Sequence, residues 1–288
     1  MLNNLKFLIR PMILKDIKAA IDLSTTEGWN QTEKDWRLLL DNPLNTCLVA
    51  ESEKKIFGTA TAINYSNLAG WIGMVLVGKE FRRQGIGRLL VENIIEKLNS
   101  FKSIKLDATP AGQPVYQKLG FVEESTIYRM TNYSFTRIDK ERNDSTIEPV
   151  KNIDLKEIFE LDRSIFGTDR TYLLNTIIHN YPGKAFQLKR NGKISGFILG
   201  RDGLRFNYIG SVFAHTTTDA EALISKVLES LSDQPVALDV HEDKKELIEW
   251  LESIGFIRQR QFVRMYLKNN PYPGKVENQF LIIGPEFG

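Results

Sequence analysis

The stretch from Glu80 to Leu98, EFRRQGIGRLLVENIIEKL, contains the residues whose types and spacing best suit binding chemistry. Three arginines and two glycines stand directly before an apolar pattern that is typical of a helix. Free N–H groups and the helix dipole attract anions at a helix start, and glycine lets another molecule approach the main chain. The loop therefore predicts a binding site for a phosphate group.

Regular elements are predicted on both sides of this loop. The apolar run WIGMVLV from Trp71 predicts a strand before it, and Leu90, Ile94 and Leu98 share one face of a helix from Gly87 to about Asn99. The predicted helices elsewhere in this part are at about 14–23, 32–40 and 113–120, and the strands at 46–52, 56–65, 103–109 and 125–132.

Connection lengths then predict how these strands pair. Short hairpins join the early strands, which favours antiparallel pairs, whereas the strand–helix–strand crossover at 71–109 favours a parallel pair. We therefore predict a mixed α/β (α+β) fold, in which a mostly antiparallel sheet is flanked by helices.

The chain also repeats itself. Pro11 and Asp16 recur as Pro149 and Asp154, in each case 138 residues later, and WIGMVLV recurs as YIGSVFA 137 residues later. Because the order and spacing are preserved, the sequence predicts two copies of one unit in tandem. The polar run RIDKERNDST separates them, so we predict domains at 1–136 and 147–288 with a linker at 137–146.

Composition excludes several classes of protein. The formal net charge is only +2 across 288 residues, which argues against a nucleic-acid or membrane-surface partner. Cys47 is the one cysteine, which excludes an internal disulfide and favours a reducing, cytoplasmic location. No apolar run approaches membrane-spanning length, and the three histidines lack the spacing of a metal site. We therefore expect neither a membrane segment nor a metal.

The strand GMVLV, the pattern Arg82-x-x-Gly85-x-Gly87, the amphipathic helix and the later VYQKLGF together resemble the GNAT superfamily of N-acetyltransferases. The loop signature of that family is Q/R-x-x-G-x-G/A. The doubled arrangement, with GWNQTEKDW, LDATPAGQPVY and IIGPEFG, is similar to a bacterial tandem-GNAT subgroup whose substrates are mostly unassigned. The resemblance implies a GNAT fold in each half and acetyl-CoA as the acetyl donor.

The resemblance also implies which residues hold the cofactor. Backbone N–H groups at the helix start would take the pyrophosphate, and a nearby arginine would offer charge to it or to the ribose phosphate. The residues concerned are Arg82, Arg83, Gln84, Gly85, Ile86, Gly87 and Arg88. The pantetheine arm would pair as an added strand if the sheet opens beside the strand before the loop. The main-chain groups concerned belong to Met74, Val75, Leu76 and Val77.

Tyr116 of VYQKLGF stands where the family commonly places the acid that protonates the departing thiol. The competing interpretation is a tyrosine that packs the helix on the sheet. The base stays open, because the strand before the loop has no carboxylate. Asp107 and Glu51 are the nearest candidates, although an Asp at a strand end often forms a turn, and a water relay or an already neutral amine are alternatives.

The segment GWNQTEKDW lies where the family places its acceptor-side loop and helix. Trp29, Asn30 and Trp36 could line a pocket for an apolar or planar acceptor, since the two tryptophans are seven residues apart. In the other interpretation, Thr32 with Asp35 caps the helix and both tryptophans belong to the core.

The second copy lacks the features that suit a cofactor. Gly85 corresponds to Thr218, Arg88 to Glu221 and Tyr116 to Leu251. We therefore predict that only the first copy is active, and that the second closes the acceptor pocket or forms an interface, with a homodimer as one possible state. The function predicted is acetyl transfer from acetyl-CoA to a primary amine, with a small-molecule acceptor favoured. The alternatives are a peptide or protein acetyltransferase and a non-catalytic acyl-CoA-binding sensor.

Overall fold

The computed structural model describes residues 6–134 and 146–288. The predicted linker, 137–146, lies outside these residues except for Thr146. The chain forms two compact units. Of the described residues, unit 1 contains 6–123 and 265–271 with Phe287, and unit 2 contains 124–134, 146–264 and 272–286 with Gly288.

The first half of the sequence follows the predicted order of elements closely. Its strands are β1 (Leu8–Pro11), β2 (Thr46–Ser52), β3 (Lys55–Tyr65), β4 (Ala69–Val77), β5 (Ser103–Ala108) and β6 (Val122–Asn132). Its α-helices are α1 (Ile17–Thr26), α2 (Glu33–Leu40), α3 (Ile86–Lys97) and α4 (Gln113–Lys118). A 3-10 turn at Leu14–Asp16 precedes α1, so the first predicted helix begins with a tighter turn and ends three residues later than expected.

The second half repeats this order. Its strands are β7 (Ile147–Pro149), β8 (Phe186–Arg190), β9 (Lys193–Arg201), β10 (Asn207–Phe213), β11 (Val236–His241), β12 (Ile257–Lys268) and β13 (Gln279–Leu281). Its α-helices are α5 (Leu155–Phe166), α6 (Thr171–Asn180), α7 (Thr217–Leu228) and α8 (Lys245–Ser253). The strand β13 has no counterpart in the first half among the described residues.

In unit 1 the strands lie in the order β1-β2-β3-β4-β5. Successive pairs are antiparallel as far as β4, and β4 pairs with β5 in parallel, which confirms the predicted mixture. The core of this unit contains the fully buried side chains of Trp36, Phe57, Trp71 and Ile72. These large apolar groups fix the sheet and helices that carry the loop after β4.

In unit 2 the strands lie in the order β6-β11-β13-β10-β9-β8-β7. The first residues of β10 and β11 pair in parallel, and β13 lies antiparallel to both strands farther along. The core of unit 2 is an apolar cluster that includes Leu223, Leu238 and Leu281. The mixed, mostly antiparallel sheet with flanking helices is therefore present in both units.

Each unit takes a segment from the other half of the sequence. From Glu124 onward β6 belongs to unit 2, where it pairs with β11 from Ile127↔His241 to Asn132↔Val236. The end of β12, from Met265, belongs to unit 1. There the Lys268 ammonium donates to the carbonyl oxygens of Leu98, Asn99 and Phe101 at the end of α3, with N···O distances of 3.2, 2.5 and 3.0 Å.

Candidate active site

A β-bulge lies in the middle of β4. Gly73 pairs with Thr61 and Leu76 with Thr59, so β4 has one more residue than β3 over this stretch. Met74 takes a left-handed φ of 50°, which is costly for a residue with a side chain. The Thr59 hydroxyl donates to the Met74 carbonyl at 2.8 Å, and the Thr61 hydroxyl donates to the Gly73 carbonyl at 3.1 Å. These two buried hydroxyls hold the bulge in place.

The sheet opens immediately beside this bulge. The parallel register of β4 and β5 runs from Ala69↔Ser103 to Ile72↔Leu106, whereas β4 continues to Val77. Gly73 to Val77 therefore extend past the last pair, with β3 on one side and an open edge on the side of β5. Backbone groups at an open strand edge can pair with an extended ligand. This is the opening that the sequence analysis required for Met74, Val75, Leu76 and Val77.

The loop after β4 leads directly into a helix start. Gly85 has a φ of +79° and caps α3, and a methyl group placed on its Cα would meet no other atom within 4 Å. The first bond of the helix runs from the Leu89 N–H to the Gly85 carbonyl at 3.0 Å. The N–H groups of Ile86, Gly87 and Arg88 thus have no acceptor within the helix and lie at the positive end of its dipole. This geometry suits a phosphate group.

The basic side chains of the loop differ in their contacts. Arg82 donates through Nε to the Val77 carbonyl at 3.0 Å and pairs with Glu27 at 2.6 Å. Its charge therefore anchors the loop to the end of β4. Arg88 pairs with Glu92 one turn along α3 at 2.8 Å, in an exposed position where the pair is weak. Among the described residues Arg83 forms no ion pair, which leaves its charge available to a ligand.

A cavity of about 500 Å³ adjoins the end of β4 on the side of α1. Leu76, Val77 and Gly78 form one wall, and the residues of α1 and of the β2–β3 turn form the others. Its charged lining residues carry both signs: Asp22, Glu27, Lys54, Lys55 and Lys79. A volume of this size lies within the range of small-molecule sites.

Tyr116 lies on α4 and is largely buried. Its ring packs edge-on against Phe121 with centroids 5.9 Å apart, and a methyl group on Gly112 would lie 2.9 Å from the Tyr116 ring. Its hydroxyl donates no hydrogen bond to another described residue. Burial raises the pKa of Tyr116 above its ordinary value, so the phenol keeps its proton at neutral pH. Tyr116 therefore packs α4 against its surroundings and keeps a protonated hydroxyl.

The two carboxylates considered as bases lie in different places. Asp107 is the first residue of β5 beyond the last parallel pair, so it stands at the mouth of the opening and is half-buried. Glu51 lies on β2, where it accepts a hydrogen bond of 2.6 Å from Arg10 Nε. Because that pairing is on the far side of β3, Glu51 is removed from the opening, and Asp107 is the better placed of the two.

The acceptor-side residues are divided between loop and core. The helix α2 begins at Glu33, so Trp29 and Asn30 lie in the loop before it, and the two tryptophans do not share a helix face. Trp36 is fully buried in the core, and Asp35 accepts hydrogen bonds from the Thr32 N–H and hydroxyl at 2.6 and 2.9 Å. Because this cap fixes the start of α2 at Glu33, the helix does not extend back to Trp29. Trp29 is half-buried and Asn30 is buried.

The helix of unit 2 that corresponds to α3 starts differently. α7 is capped by Thr216, whose hydroxyl accepts from the Asp219 N–H at 3.1 Å, and Asp219 pairs with Arg190. A side chain thus takes one of the donors that α3 leaves open, and the carboxylate of Asp219 in the first turn disfavours a phosphate there. Within the described ranges no cluster of His, Cys, Asp and Glu could hold a metal, and no helix is long and apolar enough to span a membrane.

Sequence analysis missed the threonines that hold the bulge. The repeat itself carries the signal: GTATA in the first copy aligns with GFILG in the second, so Thr59 corresponds to Phe197 and Thr61 to Leu199. Two buried hydroxyls that appear in one copy alone point to a local polar task. Glu27, which holds Arg82, carries no such signal, because nothing in the sequence relates the end of α1 to the loop.

Two family models, each described as an acetyltransferase (GNAT) domain, match this chain at residues 22–142 and 158–281. The chain belongs to the GNAT acetyltransferases. The tandem arrangement and the acetyltransferase class expected from the sequence are thereby confirmed. GNAT acetyltransferases use an acyl-CoA and an acceptor, and the open edge of β4 with the free helix start of α3 fits such a donor.

Relatives of this GNAT protein agree with that assignment. It is 26% identical over 185 residues to the uncharacterized N-acetyltransferase YitH of Bacillus subtilis, a match that covers 64% of this chain. The chain spans 65% of the length of that curated relative.

Solved structures share the fold over nearly the whole chain. A candidate acetyltransferase from Pyrococcus horikoshii superposes with a TM-score of 0.83 at 23% identity, covering 98% of this chain and 96% of the other. A tandem GNAT protein from the clavulanic acid biosynthesis pathway gives 0.64 at 13%, covering 91% and 98%. At these identities the likeness is one of fold.

Proposed function

We propose that this chain transfers an acetyl group from acetyl-CoA to a primary amine of a small molecule. The observation that carries the proposal is the opening of unit 1 after Ile72↔Leu106, which leads along β4 to the free helix start of α3. A small-molecule acceptor is favoured here over a peptide or a protein, and an acceptor screen distinguishes them. The charge balance and the buried Cys47 support a cytoplasmic location.

The residues that would hold acetyl-CoA follow from the geometry of unit 1. The main chain of Met74 to Val77 would pair with the amides of the pantetheine arm as an added strand. The N–H groups from Gly85 to Arg88 would take the pyrophosphate oxygens, with Arg83 as the available charge. When bound, acetyl-CoA supplies the acetyl group as an activated thioester.

Proton transfer is the chemistry that this chain must add. Tyr116 would donate its hydroxyl proton as the thiol departs, and its raised pKa keeps that proton in place beforehand. Asp107, at the mouth of the opening, is the candidate to accept the proton of the amine. The amine attacks the thioester directly in this scheme, so no covalent intermediate on the chain is needed.

A screen of amine acceptors that follows release of free thiol from acetyl-CoA tests the proposal. Cys47 is the one cysteine and is buried, and burial raises its pKa to about 12, so the folded protein adds little thiol background. We expect thiol release above the uncatalysed rate for one class of primary amines. Tight binding of acetyl-CoA without turnover across small amines, peptides and proteins would contradict acetyl transfer and favour a sensor.

A further inference from the structure

The strand β13 enters the sheet of unit 2 between β10 and β11. These two strands pair directly only from Asn207↔Val236 to Ile209↔Leu238. Beyond that pair Leu281 faces Val212 of β10 on one side and Val240 of β11 on the other. The Ile282 N–H donates to the Asp239 carbonyl at 3.1 Å. The segment that contains β13 thus fills the space where the two strands diverge.

The same divergence exists in unit 1 at the equivalent register. There the last parallel pair is Ile72↔Leu106, and the sequence repeat aligns these residues with Ile209 and Leu238, the last pair of unit 2. Both β4 and β10 also carry a bulge just after this point. The two openings are therefore homologous positions in the two copies. In unit 2 a strand of the chain itself lies in the opening.

The fit of this segment is close and almost free of solvent. Tyr208 donates its hydroxyl to the Ile282 carbonyl at 3.2 Å, and Arg201 pairs with Glu286 at 2.6 Å with both side chains at most 3% exposed. A methyl group on Gly210 would lie 1.9 Å from the Ile282 carbonyl oxygen. The backbone of the segment approaches so closely that only glycine leaves room for it.

We propose that residues 279–286 are a built-in occupant of the opening between β10 and β11 of unit 2. They fill this opening as a strand, in place of an extended ligand. Leu281 and Ile282 take the strand edges and the carbonyl that such a ligand would use, and the buried Arg201–Glu286 pair locks the segment in place. Unit 2 is therefore closed to acyl-CoA by occupancy, in addition to its altered helix start. The inference rests on the proposed function only for the identity of the ligand in unit 1.

Hydrogen exchange of the full chain tests the fit directly. The Ile282 amide should exchange slowly, as a strand amide does, and Gly210→Ala should speed exchange across residues 279–283 by at least about tenfold. Gly192→Ala is the matched control, because Gly192 also has a positive φ but has open space around it. An unprotected Ile282 amide in the unaltered chain, or equal effects of the two substitutions, would overturn the proposal.

A second experiment asks whether the segment behaves as a ligand when it is separated from the chain. A protease site placed at Asn269–Pro271, which is largely exposed, would let the folded protein be cut without prior truncation. The released fragment should stay bound through gel filtration, and the peptide QFLIIGPEFG should exchange into the site with one-to-one stoichiometry. The same peptide with Leu281→Asp should bind at least about tenfold more weakly, since Leu281 is fully buried.

Loss of the fragment with an unchanged melt, or equal binding of both peptides, would refute the built-in occupant. These measurements need no acetyl-CoA. If the first unit fails to bind acetyl-CoA, the proposed function falls while the strand in unit 2 stands on its own evidence. If the fragment leaves unit 2 freely, the reverse holds.

Discussion

Ile72 of β4 and Leu106 of β5 form the last parallel pair before the two strands of unit 1 diverge. Every feature of the proposed site follows from this point: the bulge at Met74 lies just beyond it on β4, Asp107 just beyond it on β5, and the glycine loop at the end of β4. An extended donor placed there would have its thioester near the bulge and its phosphates near α3.

Gly85→Glu should abolish measurable binding of acetyl-CoA, with a rise in Kd of about 100-fold or more. The side chain would fill the open space at the helix start and place a negative charge beside the pyrophosphate, and the φ of +79° adds strain for any residue with a Cβ. Isothermal titration calorimetry would measure Kd and should find one site per chain in the unaltered protein.

Gly192→Glu is the control for strain and charge. Gly192 has a φ of +74° and open space, but it lies in the turn between β8 and β9 of unit 2. We expect its Kd for acetyl-CoA to stay within about twofold of the original. Undiminished binding by Gly85→Glu, or a stoichiometry near two, would place the cofactor elsewhere.

Tyr116→Phe should lower kcat by about 10- to 1000-fold and leave the affinity for acetyl-CoA nearly unchanged, because the phenol acts only as the thiol departs. The melting temperature should also hold, since the hydroxyl bonds to no other described residue. Tyr133→Phe, an exposed tyrosine, is the control and should not change kcat. Parallel losses of stability, binding and rate would instead assign Tyr116 to packing.

Thr59→Val tests the support of the bulge. The substitution keeps the shape of the side chain but removes the hydrogen bond to the Met74 carbonyl, leaving a buried acceptor unpaired at a cost of about 1–2 kcal/mol. Because the bulge sets the edge of β4, KM for acetyl-CoA should rise several-fold together with the loss of stability. Denaturant titration and steady-state kinetics would measure the two effects.

Thr131→Val is a matched control for the loss of a buried hydroxyl. The Thr131 hydroxyl is fully buried and has no hydrogen-bond partner among the described residues. Replacing an unpaired polar group by a methyl group should leave stability unchanged or raise it. A Thr59 variant that behaved like this control would show that the bulge holds without the hydroxyl.

The sequence predicted the repeat, the order of elements and the glycine loop, because each depends on local periodicity or on residues close in the chain. It did not reveal that β13 lies between β10 and β11, since a three-residue strand has no periodic signal and its partners are about 40 and 70 residues away. The pairing of Arg82 with Glu27 was not visible either, because the two residues are far apart in the sequence and no local pattern relates them. The helix cap at Thr32 was visible as one of two interpretations, and tertiary packing of Trp36 accompanies it.

Asp16→Asn should destabilise the protein at neutral pH but have little effect in acid. Burial opposes ionisation of Asp16, but hydrogen bonds from Arg10 and from the Ile13 N–H outweigh it and lower the pKa of the carboxyl. A lowered pKa in the folded state contributes stability that is present above the unfolded Asp pKa of about 3.9 and is lost as the pH falls through the folded pKa.

Thermal melts from pH 3 to pH 7 should therefore show that the melting temperatures of Asp16→Asn and of the original protein become equal only at the acid end. Asp154→Asn should behave alike, because Asp154 occupies the repeated position in unit 2 and its pKa is also lowered, with Gln187 and Lys189 outweighing burial. Asp22→Asn, at an exposed position on α1, is the control. A constant difference across the pH range would show that the ionised form contributes nothing.

Lys268→Met should lower the melting temperature of the protein by several degrees and loosen the end of α3. The ammonium donates to the carbonyls of Leu98, Asn99 and Phe101 there, of which Leu98 also accepts from the Phe101 N–H, and a positive charge at a helix C-terminus complements the dipole. We expect about 1 kcal/mol, because the site is partly open to solvent. Lys102→Met, an exposed lysine directly after Phe101, is the control and should change little.

Since Lys268 belongs to unit 1 but comes from the second half of the sequence, a fragment 1–134 would lose these bonds as well and should melt below the full chain. Hydrogen exchange at residues 94–98 would locate the effect, and unchanged exchange there in Lys268→Met would show that the lysine does not hold the helix.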